Sequence, residues 1–182
     1  MQPVRILVDN LQRLATAQHY LFTPSDLRAL FPHTSSSAFK TLLSRAERRG
    51  HLARVCRGLY LYDKVDYPRG LVLFHAAARL RADAFNYISL ETALSDAGAI
   101  SQMPINSITV MSSGRTSTIG CGVWGTIAFV HTRKRPEAVA SQLAYDARCH
   151  LWRASPGLAA QDMRDTRRSL DLIDWSVVHE SA

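Results

Sequence analysis

Cysteine is scarce in this 182-residue chain: Cys56, Cys121 and Cys149 are the only three, and none forms a C-x-x-C pair. That number and scatter exclude a disulfide framework and argue against a structural zinc site. The seven histidines are dispersed without an H-x-x-x-H pair, so neither a metal centre nor a cofactor is expected. Long hydrophobic runs are missing too, since no apolar stretch approaches the ~20 residues that span a bilayer. The opening Met1-Gln2-Pro3-Val4-Arg5 lacks the basic head, apolar core and cleavage site of a secretory leader. A cytoplasmic protein without membrane association is the expectation.

Catalytic signatures are equally absent. The chain holds no G-x-S-x-G elbow, no G-x-x-x-x-G-K-[ST] loop and no H-E-x-x-H pair. No acidic residue is followed two positions later by Lys, which removes the acidic-x-Lys core of a restriction-type nuclease. The chain is therefore read as a non-enzyme. Acidic residues are the last shortage: 15 Asp and Glu face 22 Lys and Arg, a formal charge of +7. Such an excess suits a polyanionic partner, and its placement matters more than its sum.

The placement is uneven. Residues 1–67 carry ten basic and five acidic residues, net +5, and residues 68–182 carry twelve and ten, net +2. Within the first part, 37–57 holds Lys40, Arg45, Arg48, Arg49, Arg54 and Arg57 against Glu47 alone. The chain is therefore divided into 1–67 and 68–182, a length that suits two small domains.

In the first part, Ile6, Leu7, Leu11 and Leu14 recur at helical spacing, which predicts a helix from Val4 to His19. Thr23-Pro24-Ser25-Asp26 then reads as a helix start: a capping hydroxyl, a proline at the first position, and a carboxylate able to reach back. That helix is expected to reach about Phe31. Ser35, Ser36 and Ser37 offer caps for a third helix, which runs to about Arg49 and is closed by Gly50. Leu52–Val55 and Leu59–Tyr62 read as short strands around Cys56-Arg57-Gly58. Helix, short helix, basic helix and hairpin in that order describe a winged helix-turn-helix.

On the third helix Phe39, Leu42, Leu43 and Ala46 form one apolar stripe. The opposite face carries Ser37, Lys40, Thr41, Ser44, Arg45 and Arg48. A DNA-reading helix needs this division, one face packed on its domain and another offering donors to base edges and phosphates. The candidate DNA-binding residues are Ser35, Ser36, Ser37, Lys40, Thr41, Ser44, Arg45, Arg48 and Arg49 on the helix, with Arg54 and Arg57 on the hairpin. A merely solvated cationic face is the plain alternative, and the ordered run of elements around it favours the DNA reading.

The stretch Ala46-Glu47-Arg48-Arg49-Gly50-His51-Leu52-Ala53-Arg54-Val55-Cys56-Arg57-Gly58-Leu59-Tyr60-Leu61-Tyr62 resembles the "rrGeLxrvrrGvYxl" segment of AbiEi-type antitoxins. Tyr87-Ile88-Ser89-Leu90-Glu91-Thr92-Ala93-Leu94 is similar to the segment opening that family's C-terminal domain. Ile108–Val110 with Ser113–Arg115, Gly125–His131, and Ala154–Ala159 with Leu170–Trp175 continue the likeness across most of the chain. The resemblance implies a type IV toxin–antitoxin, abortive-infection regulator. Its N-terminal winged helix would repress its own operon, and its C-terminal domain would help counter a nucleotidyltransferase-like toxin without requiring a stable complex.

The second part reads as a mixed α/β domain, giving an α+β chain overall. Helices are predicted over Pro68–Arg81, up to Asp96 before Gly98, over Pro136–Arg148, and from Ser155 to about Leu170. Strands are predicted over Asn86–Ser89, Ser107–Ser112, Thr116–Ile119, Thr126–Thr132 and Cys149–Ala154. Gly120-Cys121-Gly122-Val123-Trp124-Gly125 spells G-x-G-x-x-G. A dinucleotide site needs a helix after that loop, whereas Thr126–Val130 reads as a strand, so a hairpin turn is expected.

Asp162, Asp165, Asp171 and Asp174 alternate with Arg164, Arg167 and Arg168, which reads as a salt-bridged exposed helix. Trp124, Trp152 and Trp175 are expected to be core or domain-interface anchors. Auxiliary nucleic-acid contacts are assigned to Arg115, in a polar turn whose hydroxyls and amides suit a phosphate, and to Arg133, Lys134 and Arg135. The expected partner is double-stranded DNA, the chain's own operator, arranged as inverted repeats. Two rivals stay open at this stage: a winged-helix protein-interaction module, and an RNA-binding protein using Arg115 and Arg133–Arg135.

Overall fold

Leu7 and Leu11, one helical turn apart, are fully buried on the inner face of α1 (Pro3–Leu14), the first element of a computed structural model that describes residues 2–101 and 106–180. The chain forms two units, 1–72 and 73–182. α1 ends at Leu14, short of the predicted His19. Ala15 turns extended, and the Thr16 hydroxyl accepts the amides of Gln18 and His19, a local turn that competes with helix continuation.

Next come β1 (Leu21–Phe22) and α2 (Pro24–Arg28). The predicted cap is present in full: the Asp26 amide donates to Thr23 Oγ1 at 3.2 Å, and the Thr23 amide to Asp26 Oδ2 at 2.7 Å. α2 stops at Arg28, three residues before Phe31. α3 (Ser36–Arg48) is capped by the Ser35 hydroxyl on the Ala38 amide, and Gly50 at φ +70° lets the chain leave it.

β2 (Ala53–Cys56) and β3 (Leu59–Leu61) form an antiparallel hairpin whose tip is Arg57-Gly58, with a bulge between Arg54 and Cys56. β1 pairs with β3, Leu21 opposite Leu61 and Phe22 opposite Tyr60, to give a sheet of order β1-β3-β2. Phe22, Leu27, Phe39, Leu42, Leu43 and Ala46 join Leu7 and Leu11 in one core. The apolar stripe of α3 is therefore the buried one.

The second unit begins in α4 (Val72–Leu80), entered by a 3₁₀ turn at Arg69–Leu71. It continues through β4 (Asn86–Ile88), α5 (Leu90–Asp96), β5 (Ser107–Ser112), β6 (Ser117–Gly120), β7 (Thr126–His131) and α6 (Pro136–Val139). It closes with β8 (Leu143–Asp146), β9 (Leu151–Ala154), α7 (Pro156–Asp165) and α8 (Trp175–Glu180). The six strands lie in the order β6-β7-β5-β4-β9-β8; β5 with β7 and β4 with β9 are parallel, and the other neighbours antiparallel. The chain is thus a mixed α+β protein. The glycine-rich run joins β6 to β7 through a tight 3₁₀ turn at Gly122–Trp124, strand to strand, so no helix N-terminus follows it.

Four expectations are corrected here. The predicted helix Pro136–Arg148 is only α6 and a 3₁₀ turn, after which 143–146 is strand β8. Four register pairs with β9, including Tyr145 opposite Trp152, override an alanine-bearing stretch that locally favours helix. α7 ends at Asp165, not near Leu170. Arg167 takes φ +57° and the Arg168 amide bonds back to the Met163 carbonyl at 2.9 Å, a Schellman-type stop made without glycine.

The Asp/Arg run is not an exposed salt-bridged helix, because Asp162 is fully buried. Its spacing from Leu158 and Ala159 puts it on the inner face of α7, where a charge survives only if paired. Trp152 and Trp175 are not core anchors either. They stay 44 % and 36 % exposed, Trp152 on the strand next to the sheet edge and Trp175 at the start of a terminal helix.

Candidate nucleic-acid interface

The capping and stripe of α3 fix which way its polar residues face. With Phe39, Leu42, Leu43 and Ala46 turned into the core, Ser35, Ser36, Ser37, Lys40, Thr41, Ser44, Arg45, Arg48 and Arg49 all lie on the exposed side. Arg54 and Arg57 are exposed on the hairpin. The structure thus leaves all eleven sequence-assigned residues open to solvent within one unit.

Local bonds shape this face. Ser35 and Ser37 hydroxyls lie 3.2 Å apart, Thr41 Oγ1 donates to the Ser37 carbonyl at 3.0 Å, and Arg48 Nε reaches the Ser44 carbonyl at 3.4 Å. Those helix-directed bonds hold the side chains along α3 while leaving hydroxyl oxygens and most guanidinium donors to solvent. Among the described residues no carboxylate pairs with Lys40, Arg45, Arg48, Arg49, Arg54 or Arg57. Six exposed cations therefore lie on this unit without a carboxylate partner among the described residues.

The sequence does not single out Arg28. Its Nη2 donates to the Thr34 carbonyl, and its guanidinium sits 5.1 Å from the Phe39 ring centroid. It ties the turn between α2 and α3 to the inner side of α3. That role depends on the turn bringing Thr34 and Phe39 back over Arg28, so no spacing rule marks it.

The second unit treats its cations differently. Lys134 Nζ lies 2.6 Å from Asp162 Oδ1 and 2.9 Å from Asp165 Oδ2, and the Ser89 hydroxyl donates to Asp162 Oδ2 at 2.7 Å. Burial by itself would lower the Lys134 pKa, but the bonds to both carboxylates outweigh it and the net shift is upward. Burial also pushes the Tyr87 phenol up, helped by the Asp162 charge. Arg153 pairs with Asp146 and Asp96, and Arg168 with Glu91.

Lys134 is therefore committed to carboxylates, while Arg133 beside it is exposed and Arg135 lies at the start of α6. Arg115 is exposed as well, in a turn whose hydroxyl oxygens already accept backbone amides. Ser113 Oγ accepts the Phe85 amide, Ser112 Oγ accepts the Gly114 amide, and Thr116 Oγ1 accepts the His131 amide. The Gly114 amide is thus used within the unit, while the Ser113 and Thr116 hydroxyls act there as acceptors.

Residues 9–62, from within α1 to just past β3, match the family model described as "Transcriptional regulator, AbiEi antitoxin". The resemblance read from the sequence holds over that segment. No curated protein matches the chain. Among solved structures it is similar to the crystal structure of the RV2827C protein from Mycobacterium tuberculosis, with a TM-score of 0.57 at 15 % identity. The alignment covers 93 % of this chain and 64 % of that one, so this chain spans less than two thirds of its structural relative. At that identity the likeness is one of fold.

Proposed function

We propose that the chain is a sequence-specific DNA-binding autorepressor and the antitoxin of an AbiEi-type toxin–antitoxin operon. Its N-terminal unit is read as a winged helix-turn-helix: α3 enters the major groove, and the β2–β3 hairpin is the wing on adjacent backbone. The observation carrying this reading is the unpaired cationic face. Lys40, Arg45, Arg48 and Arg49 on α3, with Arg54 and Arg57 on the hairpin, have no carboxylate partner among the described residues, in the segment matched to the regulator family. Serine and threonine hydroxyls between those charges suit base edges of either kind.

The antitoxin part rests on the family match, and its target is a nucleotidyltransferase-like toxin encoded beside it. No helix among the described residues is long and apolar enough to cross a membrane. The test is fluorescence anisotropy with the gene's own upstream duplex and a scrambled duplex, each over a salt series. The proposal expects a preference of ~10³ or more for the upstream DNA near physiological salt. Equal binding to both duplexes, fading together with salt, overturns it.

A further inference from the structure

On the six-stranded sheet, Tyr145 of β8 and Trp152 of β9 face each other across the register, ring centroids 5.4 Å apart and steeply inclined. They remain 55 % and 44 % exposed, an adjacent pair of large aromatics left open to water. Both line a groove of about 200 Å³ running to the end of α4, with Phe85, His150 and Arg81 on its other walls. Among the described residues no carboxylate lines it.

Arg81 lines the groove, and two further arginines are its neighbours in the structure or the chain. Arg81 Nη2 donates to the Arg115 carbonyl at 2.6 Å, which sets a second, exposed arginine beside the first. Arg148, on the turn between β8 and β9, has an 80 % exposed side chain whose Nε lies 3.8 Å from Asp146 Oδ1, a loose pairing at the surface. Asp146, the acidic neighbour of Tyr145, is bound 3.0 Å from Arg153. A small groove walled by four aromatic or imidazole rings asks for a flat ligand, and a lining arginine with an exposed arginine beside it asks for an anionic one.

We propose that this groove takes an unpaired base of single-stranded nucleic acid, stacked against Trp152 and Tyr145, with the adjoining phosphates at Arg148 and Arg115. A nucleobase supplies two π-faces on a small disc, and its backbone supplies the negative charge on either side. The site belongs to the second unit and shares no residue with the duplex interface on α3.

The experiment uses the full chain and fluorescein-labelled 12-mers of one sequence as single-stranded RNA, single-stranded DNA and duplex, read by anisotropy. Trp152→Ala is expected to weaken single-strand binding about tenfold, as removal of one stacking platform does, while Trp152→Phe stays within about threefold. The fold-change in affinity caused by Trp152→Ala should be the same in a Lys40→Ala/Arg48→Ala background, so failure of the α3 reading and failure of this one are separable. The RNA and DNA arms decide which strand is preferred. Single-strand affinity indifferent to Trp152→Ala, or a Trp152→Ala loss that disappears in the Lys40→Ala/Arg48→Ala background, overturns the proposal. Capture of a peptide that the oligonucleotides cannot displace also overturns it, since the β8 edge would then serve a protein.

Discussion

Lys134, just past the end of β7, and Asp162, on the inner face of α7, meet through a 2.6 Å bond, although 28 residues separate them and Asp162 has no exposure to water. Ser89, on the β4–α5 turn, holds the other carboxylate oxygen. One buried charge thus fastens a helix to two separate strand ends of the second unit. Removing one partner of such a pair leaves an uncompensated charge. Lys134→Met should cost about 3 kcal/mol in urea unfolding, the lower end of the usual range because Ser89 still donates to the carboxylate. Lys134→Met/Asp162→Leu should recover part of that cost. An unchanged midpoint in the single variant would show that the pair contributes nothing.

The same pair sets an alkaline limit. The Lys134 pKa is raised in the folded chain, so its contribution is fully present below the ordinary lysine value of 10.5 and is lost as pH rises through the folded value. Thermal melts above pH 10.5 should show wild type losing stability faster than Lys134→Met. Parallel decline of the two would refute this.

His75 works in the acid direction. It is 3 % exposed, stacks on His150 at 4.3 Å and bonds the Arg148 carbonyl at 2.6 Å. Burial lowers its pKa, the carbonyl bond opposes that shift, and the nearby His150 charge adds to the lowering. A depressed value means the contribution is present above 6.5 and is lost as pH falls through the folded value. The melting temperature should drop as pH falls below 6.5, and less steeply in His75→Gln. Identical slopes in both proteins would place the acid sensitivity elsewhere.

For the DNA interface, Lys40→Ala and Arg48→Ala should each weaken operator binding while leaving the melting temperature within a degree or two. Removing a cation that neutralises one phosphate should reduce the slope of log affinity against log salt by about 0.9. Affinity and slope both unchanged in the two variants would remove α3 as the reading helix.

Gly125 closes the glycine-rich turn with φ +113°, and a Cβ there would lie 2.0 Å from the Asn106 carbonyl oxygen. Gly125→Ala should cost about 2 kcal/mol or more through strain and backbone displacement. Gly120, with open space around it and ordinary φ, is the control: Gly120→Ala should be near neutral. Equal effects at both glycines would mean the close approach has no energetic weight.

Much of the first unit was legible locally. The Thr23–Asp26 capping box, the Ser35 cap, the α3 stripe and the Gly50 and Gly58 turns are written within a few residues of where they act, so spacing alone locates them. The polar face of α3 follows once its apolar face is known. β1 was not legible, because Leu21-Phe22 is too short for any period and is a strand only through pairing with Tyr60 and Leu61.

In the second unit the sequence by itself determined the strands with strong alternation or β-branched content, Ser107–Ser112 and, to within one residue, Thr126–His131, and that the glycine-rich run 120–125 is a turn joining two strands. Only the tertiary structure decided that 143–146 is a strand, that α7 stops at an arginine in the left-handed region, and that Asp162 is buried against Lys134. It alone decided that Trp152 and Tyr145 stand exposed together. The physical reason is range: caps and periodic faces depend on neighbours within one or two turns. Strand partners, buried ion pairs and edge exposure depend on residues that folding brings together from tens of positions away.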